Sequence, residues 1–134
     1  MASDIPADLR RLVAERAERC CEYCLLPEAF ALRNHEPDHI VPRQHGGKTT
    51  AANLALACAR CNRAKGPNLG SLDVETGELV RFFDPRRDAW SDHFRLDGAV
   101  IVPLTAQGRV TVKIFQLNQP HRIAERLHLP KARL

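Results

Sequence analysis

The stretch Ala57-Cys58-Ala59-Arg60-Cys61-Asn62-Arg63-Ala64-Lys65-Gly66, "ACARCNRAKG", decides how the rest of the chain is read. Two cysteines separated by two residues curl around one point, so both thiolates can reach a single ion. The run Ala59–Lys65 is rich in helix formers and is stopped by Gly66-Pro67. A metal knuckle opening straight into a short helix is therefore expected. Upstream, Cys21-Glu22-Tyr23-Cys24 repeats the same spacing. Two such pairs make an all-sulfur tetrahedral set, with Zn–S distances of roughly 2.3 Å. Cys21, Cys24, Cys58 and Cys61 are expected to hold a structural zinc, with no position left for water or substrate. Cys20 offers a second spacing to Cys24, but the more regular one favours Cys21.

The bulk composition suits such a staple. With 5% aromatic residues in 134, a core must lean on Leu, Val, Ile and Ala, and small cores gain from a metal. Residues 1–67 and 68–134 each hold 10 Lys/Arg against 8 Asp/Glu. The net charge of +4 is thus evenly spread and favours an anionic partner only weakly. No apolar run approaches the ~18 residues of a membrane helix, so no membrane partner is expected. The opening "MASDIPADLRR" lacks the apolar centre of a secretory signal. Five cysteines then read as reduced and metal-binding, and the expected location is cytoplasmic.

The chain organises around the two knuckles. Residues 4–19 read as a helix, capped by Ser3 or Asp4, with Pro6 in its first turn and Leu9, Leu12, Val13, Arg16 and Ala17 making one side mostly apolar. "HEPDHIVP" is β-like around Asp38–Val41, broken by Pro37 and Pro42, "RQHGGKTTAA" is a loop, and "NLALAC" is a second apolar segment. Beyond Pro67, "SLDV" and "ELVRFF" flank a turn at Glu75-Thr76-Gly77, as a hairpin requires. "DPRRDAWSDHF" reads as a polar connection and "AVIVPLT" as a strand. "RVTVKIFQLN" fits strand or helix, and "PHRIAERLHL" fits a short helix opened by Pro120. The expected class is α+β: a zinc-stapled ββα module with an N-terminal helix over 1–67, and a hairpin/helix extension over 68–134 that packs on it.

The 33 residues between the knuckles carry more than a zinc site needs. Asp38 and His39 stand there side by side, with Asn53 and Asn62 beyond them. Hydrolysis of a phosphodiester needs a base to take a proton from water and a cation to neutralise the departing oxygen. A histidine, with an ordinary pKa near ~6.5, suits the first task, and a divalent ion on oxygen ligands suits the second. Neighbouring strand residues face opposite ways, so Asp38 and His39 divide the labour. Asp38 would hold the cation and His39 would face the water. The Asn62 side chain, on the helix after the second knuckle, would supply a further oxygen. The zinc presets the distance between strand and helix.

"CEYC…HEPDHIVPRQHGG…NLALACARCNRAKG" resembles an HNH endonuclease of the ββα-metal type with a four-cysteine zinc frame. "DVETGEL…FFDPRRDAWSDHF…GRVTVKIFQLN" resembles the extension found in bacterial HNH proteins, so the likeness covers roughly residues 5–120. The resemblance implies His39 as general base and Asp38 as ligand of the catalytic metal. It implies Asn53 as the residue that fixes the loop orienting the base. Asn62 stands where the third signature histidine usually stands, making this an H-N-N variant. An amide oxygen there suits Mg²⁺ or Mn²⁺.

Arg43, Arg60, Arg63 and Lys65 are placed to contact phosphates, giving salt-sensitive, sequence-blind binding to DNA or RNA. His35 and His45 flank the reactive pair, and Arg86, Arg87, Trp90 and His93 form a second polar-aromatic cluster. Each of these has a duller explanation as a cap, a buried side chain or a solvated face. Two other classes stand beside the nuclease: a zinc-held nucleic-acid-binding module without catalysis, and a redox or protein-interaction module using the cysteines.

Overall fold

The computed structural model describes residues 5–129. They form two compact units, Met1–Pro67 and Asn68–Leu134. No helix among the described residues is long and apolar enough to cross a membrane.

The first unit opens with helix α1 (Ala7–Arg16), which carries Asp8 in its first turn and Arg16 in its last. These charges complement the helix dipole. The expected start at residue 4 lies outside the described residues. Helix α1 stops at Arg16, short of residue 19, because Glu18 and Arg19 take the left-handed backbone (φ 53° and 55°). Its inner face is Val13 and Ala14, which cluster with Ile5, Leu54 and Leu56. Leu12, expected on that face, is instead exposed. Strands β1 (Glu36–His39) and β2 (Leu54–Ala57) pair antiparallel, with Asp38 opposite Ala55 and His39 opposite Leu54. Pro37 lies inside β1 rather than breaking it. A two-stranded sheet leaves one side of each strand unpaired, and that is where a proline is tolerated. All four residues of β2 are buried, and helix α2 (Ala59–Lys65) follows at once. Cys58 caps α2 through its sulfur, which accepts from Cys61 N, and Gly66 ends it with φ 54°. The order β1–β2–α2 is the expected ββα module.

Among its described residues the second unit has two hairpins and three helices. Strands β3 (Gly70–Leu72) and β4 (Leu79–Arg81) pair around a turn in which Gly77 takes φ 74°. Asp73 anchors that turn, accepting from Thr76 N and Thr76 Oγ1. The Arg109 guanidinium forks onto both Asp73 oxygens at 2.9 Å and holds this carboxyl well below the usual carboxylate range. Helix α3 (Trp90–His93) leads into β5 (Phe94–Asp97), which pairs with β6 (Val100–Pro103). Segment 106–114, ambiguous from its β-branched residues, is helix α4 (Ala106–Ile114), capped by Thr105 Oγ1 on Gly108 N. Helix α5 (Pro120–Leu127) buries Arg122 and Arg126, whose guanidinium groups donate to the carbonyls of Phe115, Leu117 and Ala99. Phe82, Phe83, Phe94, Ile101, Phe115 and Leu117 make the core. Trp90 joins it from the side, its ring 5.0 Å from that of Phe94.

Candidate metal centre and adjoining cleft

The two knuckles close on one another. In each, the amide of the second cysteine donates to the sulfur of the first at 3.4 Å: Cys24 N to Cys21 Sγ, and Cys61 N to Cys58 Sγ. Such amides favour thiolate over thiol. The turn after the first pair is tightened by Leu25, which takes φ 72° and donates its N–H to the Cys21 carbonyl. All four sulfurs lie within 4.8 Å of one another, and Cys24 Sγ is 3.7 Å from Cys58 Sγ. A tetrahedron with Zn–S bonds of roughly 2.3 Å has edges of roughly 3.8 Å, so the set fits zinc. Burial pushes the Cys21 and Cys61 thiols up, and a divalent ion bound by the four sulfurs would offset that cost. Cys20 lies outside the quartet, its Sγ 3.5 Å from the Glu18 carbonyl oxygen.

Beside the quartet lies a cleft of about 350 Å³, lined among others by Asp38, His39, Asn62, Arg43 and Gln44. The strand pair and the helix thus bring Asp38, His39 and Asn62 to one opening. Asp38 is buried, and its Oδ2 receives two contacts at 3.3 Å: the Tyr23 hydroxyl and the Lys65 ammonium. Burial pushes the Asp38 carboxyl up, and Lys65 pulls it back. Lys65 also donates to the His39 carbonyl at 2.9 Å. His39 is half-buried, with Nε2 2.9 Å from Thr49 Oγ1. Desolvation and then the Arg43 charge push the His39 pKa down, so the imidazole is readily neutral.

Asn53 does not line the cleft; it ties the loop that does. Its Nδ2 donates to the carbonyls of Val41 (3.0 Å) and Lys48 (2.9 Å), while Oδ1 accepts from Val41 N (2.9 Å). Three bonds from one side chain clamp residues 41–48 directly after His39. Gly47 makes the clamp possible. A Cβ there would lie 1.6 Å from the Val41 carbonyl oxygen and 2.9 Å from Asn53 Nδ2.

Arg43, Arg60 and Arg63 are exposed, the last two on α2. Lys65 differs from what its sequence neighbours suggest: it is 2% exposed, and its ammonium faces Asp38 and the His39 carbonyl instead of a solvated surface. Removing one partner of a buried pair leaves the other uncompensated. Lys65→Met is therefore expected to cost about 3–5 kcal/mol of stability, read as a lowered denaturation midpoint. His35 is buried with Nε2 on the Leu26 carbonyl, and His45 Nε2 sits on the Pro67 carbonyl. His93 contacts Thr105 Oγ1 at 2.7 Å inside the second unit. Two contacts of the site were not found from sequence: Tyr23, hidden as a spacer of the first knuckle, and Thr49, one of two adjacent threonines in an apparently plain loop.

Residues 21–68 match the HNH endonuclease family. Among curated proteins, the CRISPR-associated endonuclease Cas9 of Corynebacterium diphtheriae is 47% identical over 62 residues. That segment is 45% of this chain but 6% of the relative's length. No solved structure matches the chain. The paired knuckles, the Asp38-His39 strand and the helix that follows Cys58 all lie inside the region that matches the HNH endonuclease family.

Proposed function

We propose that this chain is a metal-dependent endonuclease that hydrolyses DNA phosphodiester bonds in the cleft beside the cysteine quartet. The observation that carries this reading is the convergence of Asp38, His39 and Asn62 on one opening, between elements that the knuckles hold. His39, readily neutral, takes a proton from the attacking water. Asp38 and the Asn62 amide oxygen would hold Mg²⁺ or Mn²⁺. When bound, that ion supplies a Lewis acid for the charge growing on the departing 3′ oxygen. The donor set fits: a carboxylate, a neutral amide and room for waters suit a hard cation. Cys21, Cys24, Cys58 and Cys61 keep zinc and take no part in the chemistry. Asn53 holds the loop in place behind His39. Arg43, Arg60 and Arg63 bind phosphate without reading bases, and the products carry 5′-phosphate and 3′-hydroxyl ends.

The test is cleavage of supercoiled plasmid by the purified chain across a metal series. Conversion to nicked or linear DNA with Mg²⁺ or Mn²⁺, lost on adding EDTA, is the expected result. DNA retention without cleavage under any metal would instead favour a zinc-held binding module. That second reading draws on the H-N-N pattern and on Lys65, which already faces Asp38.

A further inference from the structure

We infer that Thr49, held by Arg43, is a positioning residue that engages His39 Nε2 and leaves Nδ1 as the nitrogen that works on water. The inference rests on the nuclease reading above and adds to it which end of the ring acts. His39 Nε2 lies 2.9 Å from Thr49 Oγ1, and the Arg43 guanidinium donates to that same oxygen at 3.1 Å. A guanidinium only donates, so Arg43 claims one lone pair of the hydroxyl; the other is free to accept from an imidazole N–H. Among the described residues, Nε2 is the ring nitrogen of His39 that has a partner; Nδ1 has none.

The chemistry then selects the direction of the Thr49 bond. During the reaction the water O–H bond breaks and its proton joins the ring. The water oxygen bonds to phosphorus, the bond from phosphorus to the 3′ oxygen breaks, and its electron pair leaves on that oxygen, which is protonated from solvent. The ring is neutral before this step and doubly protonated after it. Only one arrangement serves both states without turning the hydroxyl around: Nε2–H donates to Thr49 Oγ1 throughout, and Nδ1 gains the proton. A Thr49 hydroxyl that donated to Nε2 would leave the resting ring with no lone pair to offer. Arg43, exposed at the cleft rim, orients Thr49 in addition to lying where phosphate passes.

The experiment uses the full chain and reads the ring directly. Nitrogen-15 NMR of the histidines, at a pH where they are neutral, identifies the His39 tautomer, with His39→Gln assigning the signal. The Nε2–H form is expected in the wild type. Thr49→Val is expected to mix the tautomers and to slow plasmid cleavage about tenfold or more, the loss typical when a partner orienting a histidine is removed. Zinc content should not change. Thr49→Ser, which keeps the hydroxyl, should restore both readouts. A resting Nδ1–H tautomer, a valine variant as fast as wild type, or a serine variant as impaired as the valine would each overturn the assignment. The tautomer is read on the protein without DNA. A failed nuclease reading, seen as His39→Gln cutting at the wild-type rate, is thus distinguished from a failed assignment of Thr49.

Discussion

Cys61→Ser is expected to release the zinc and unfold residues 5–67. The reason is the size of the core. Among the described residues of this unit, one apolar cluster is Ile5, Val13, Ala14, Leu54 and Leu56, with Leu9 and Ala17 at its margin, and Tyr23, Leu26, Ile40, Ala55 and Ala57 are buried besides. A core of that extent supplies only a few kcal/mol against the entropy of ordering the chain. A structural zinc contributes on the order of 10–16 kcal/mol at neutral pH in small zinc folds, and that energy is folding energy. Cys61 also sits at the joint. Its amide donates to Cys58 Sγ within the first turn of α2, and its own sulfur is fully buried in the quartet. Serine keeps the size but is a poor zinc ligand, and it leaves a hydroxyl among sulfurs. Zinc per chain and the far-ultraviolet circular dichroism of Cys61→Ser measure the effect. A variant with native dichroism and an unchanged melting temperature would show that the apolar cluster suffices alone.

His39→Ala is expected to behave oppositely, keeping the fold and losing the reaction. The imidazole is half-exposed, and the backbone carbonyl that anchors Lys65 survives the substitution. Zinc content, melting temperature and DNA retention should therefore stay near wild type. Cleavage should fall by roughly 10²–10⁴-fold, the usual worth of a positioned general base. Asp38→Asn is a poorer probe, because it would disturb the Tyr23 and Lys65 contacts together with any metal ligation. The decisive comparison is the rate of plasmid nicking, with equal rates for His39→Ala and wild type ending the assigned mechanism.

What could be read from the chain beforehand follows from how local each signal is. The α2 helix was legible to the residue, because Cys58 and Gly66 are both local stop signs. The knuckles were legible from spacing alone. The Asp38-His39 strand was legible by chemistry, although Pro37 pointed to a break that a two-stranded sheet does not require. Strand β5 was lost because Phe94-Arg95-Leu96-Asp97 is half polar, and its value lies in pairing with β6. Helix α4 overrides the β-branched pattern through a local cap and one close tertiary approach. Thr105 caps it, and at buried Gly108 a Cβ would meet the His93 carbonyl oxygen at 2.4 Å. Lys65 was misjudged for a simple reason: a lysine reads as solvated unless its carboxylate partner, 27 positions earlier, is known to be near. Tyr23 and Thr49 share that difficulty, since contact partners 15 and 10 residues away leave no periodic trace.

The hydroxyl of Tyr23 and the ammonium of Lys65 reach the same oxygen of Asp38 from opposite banks of the quartet, one from within the first pair of cysteines, the other from the helix begun by the second. Stripping a zinc held by the quartet is expected to let the banks drift and both arms slacken together. Under the proposed nuclease reading, the reactive end of this unit thus inherits the fragility of its holding end. An oxidant or chelator aimed at sulfur should blunt the blade without ever touching it.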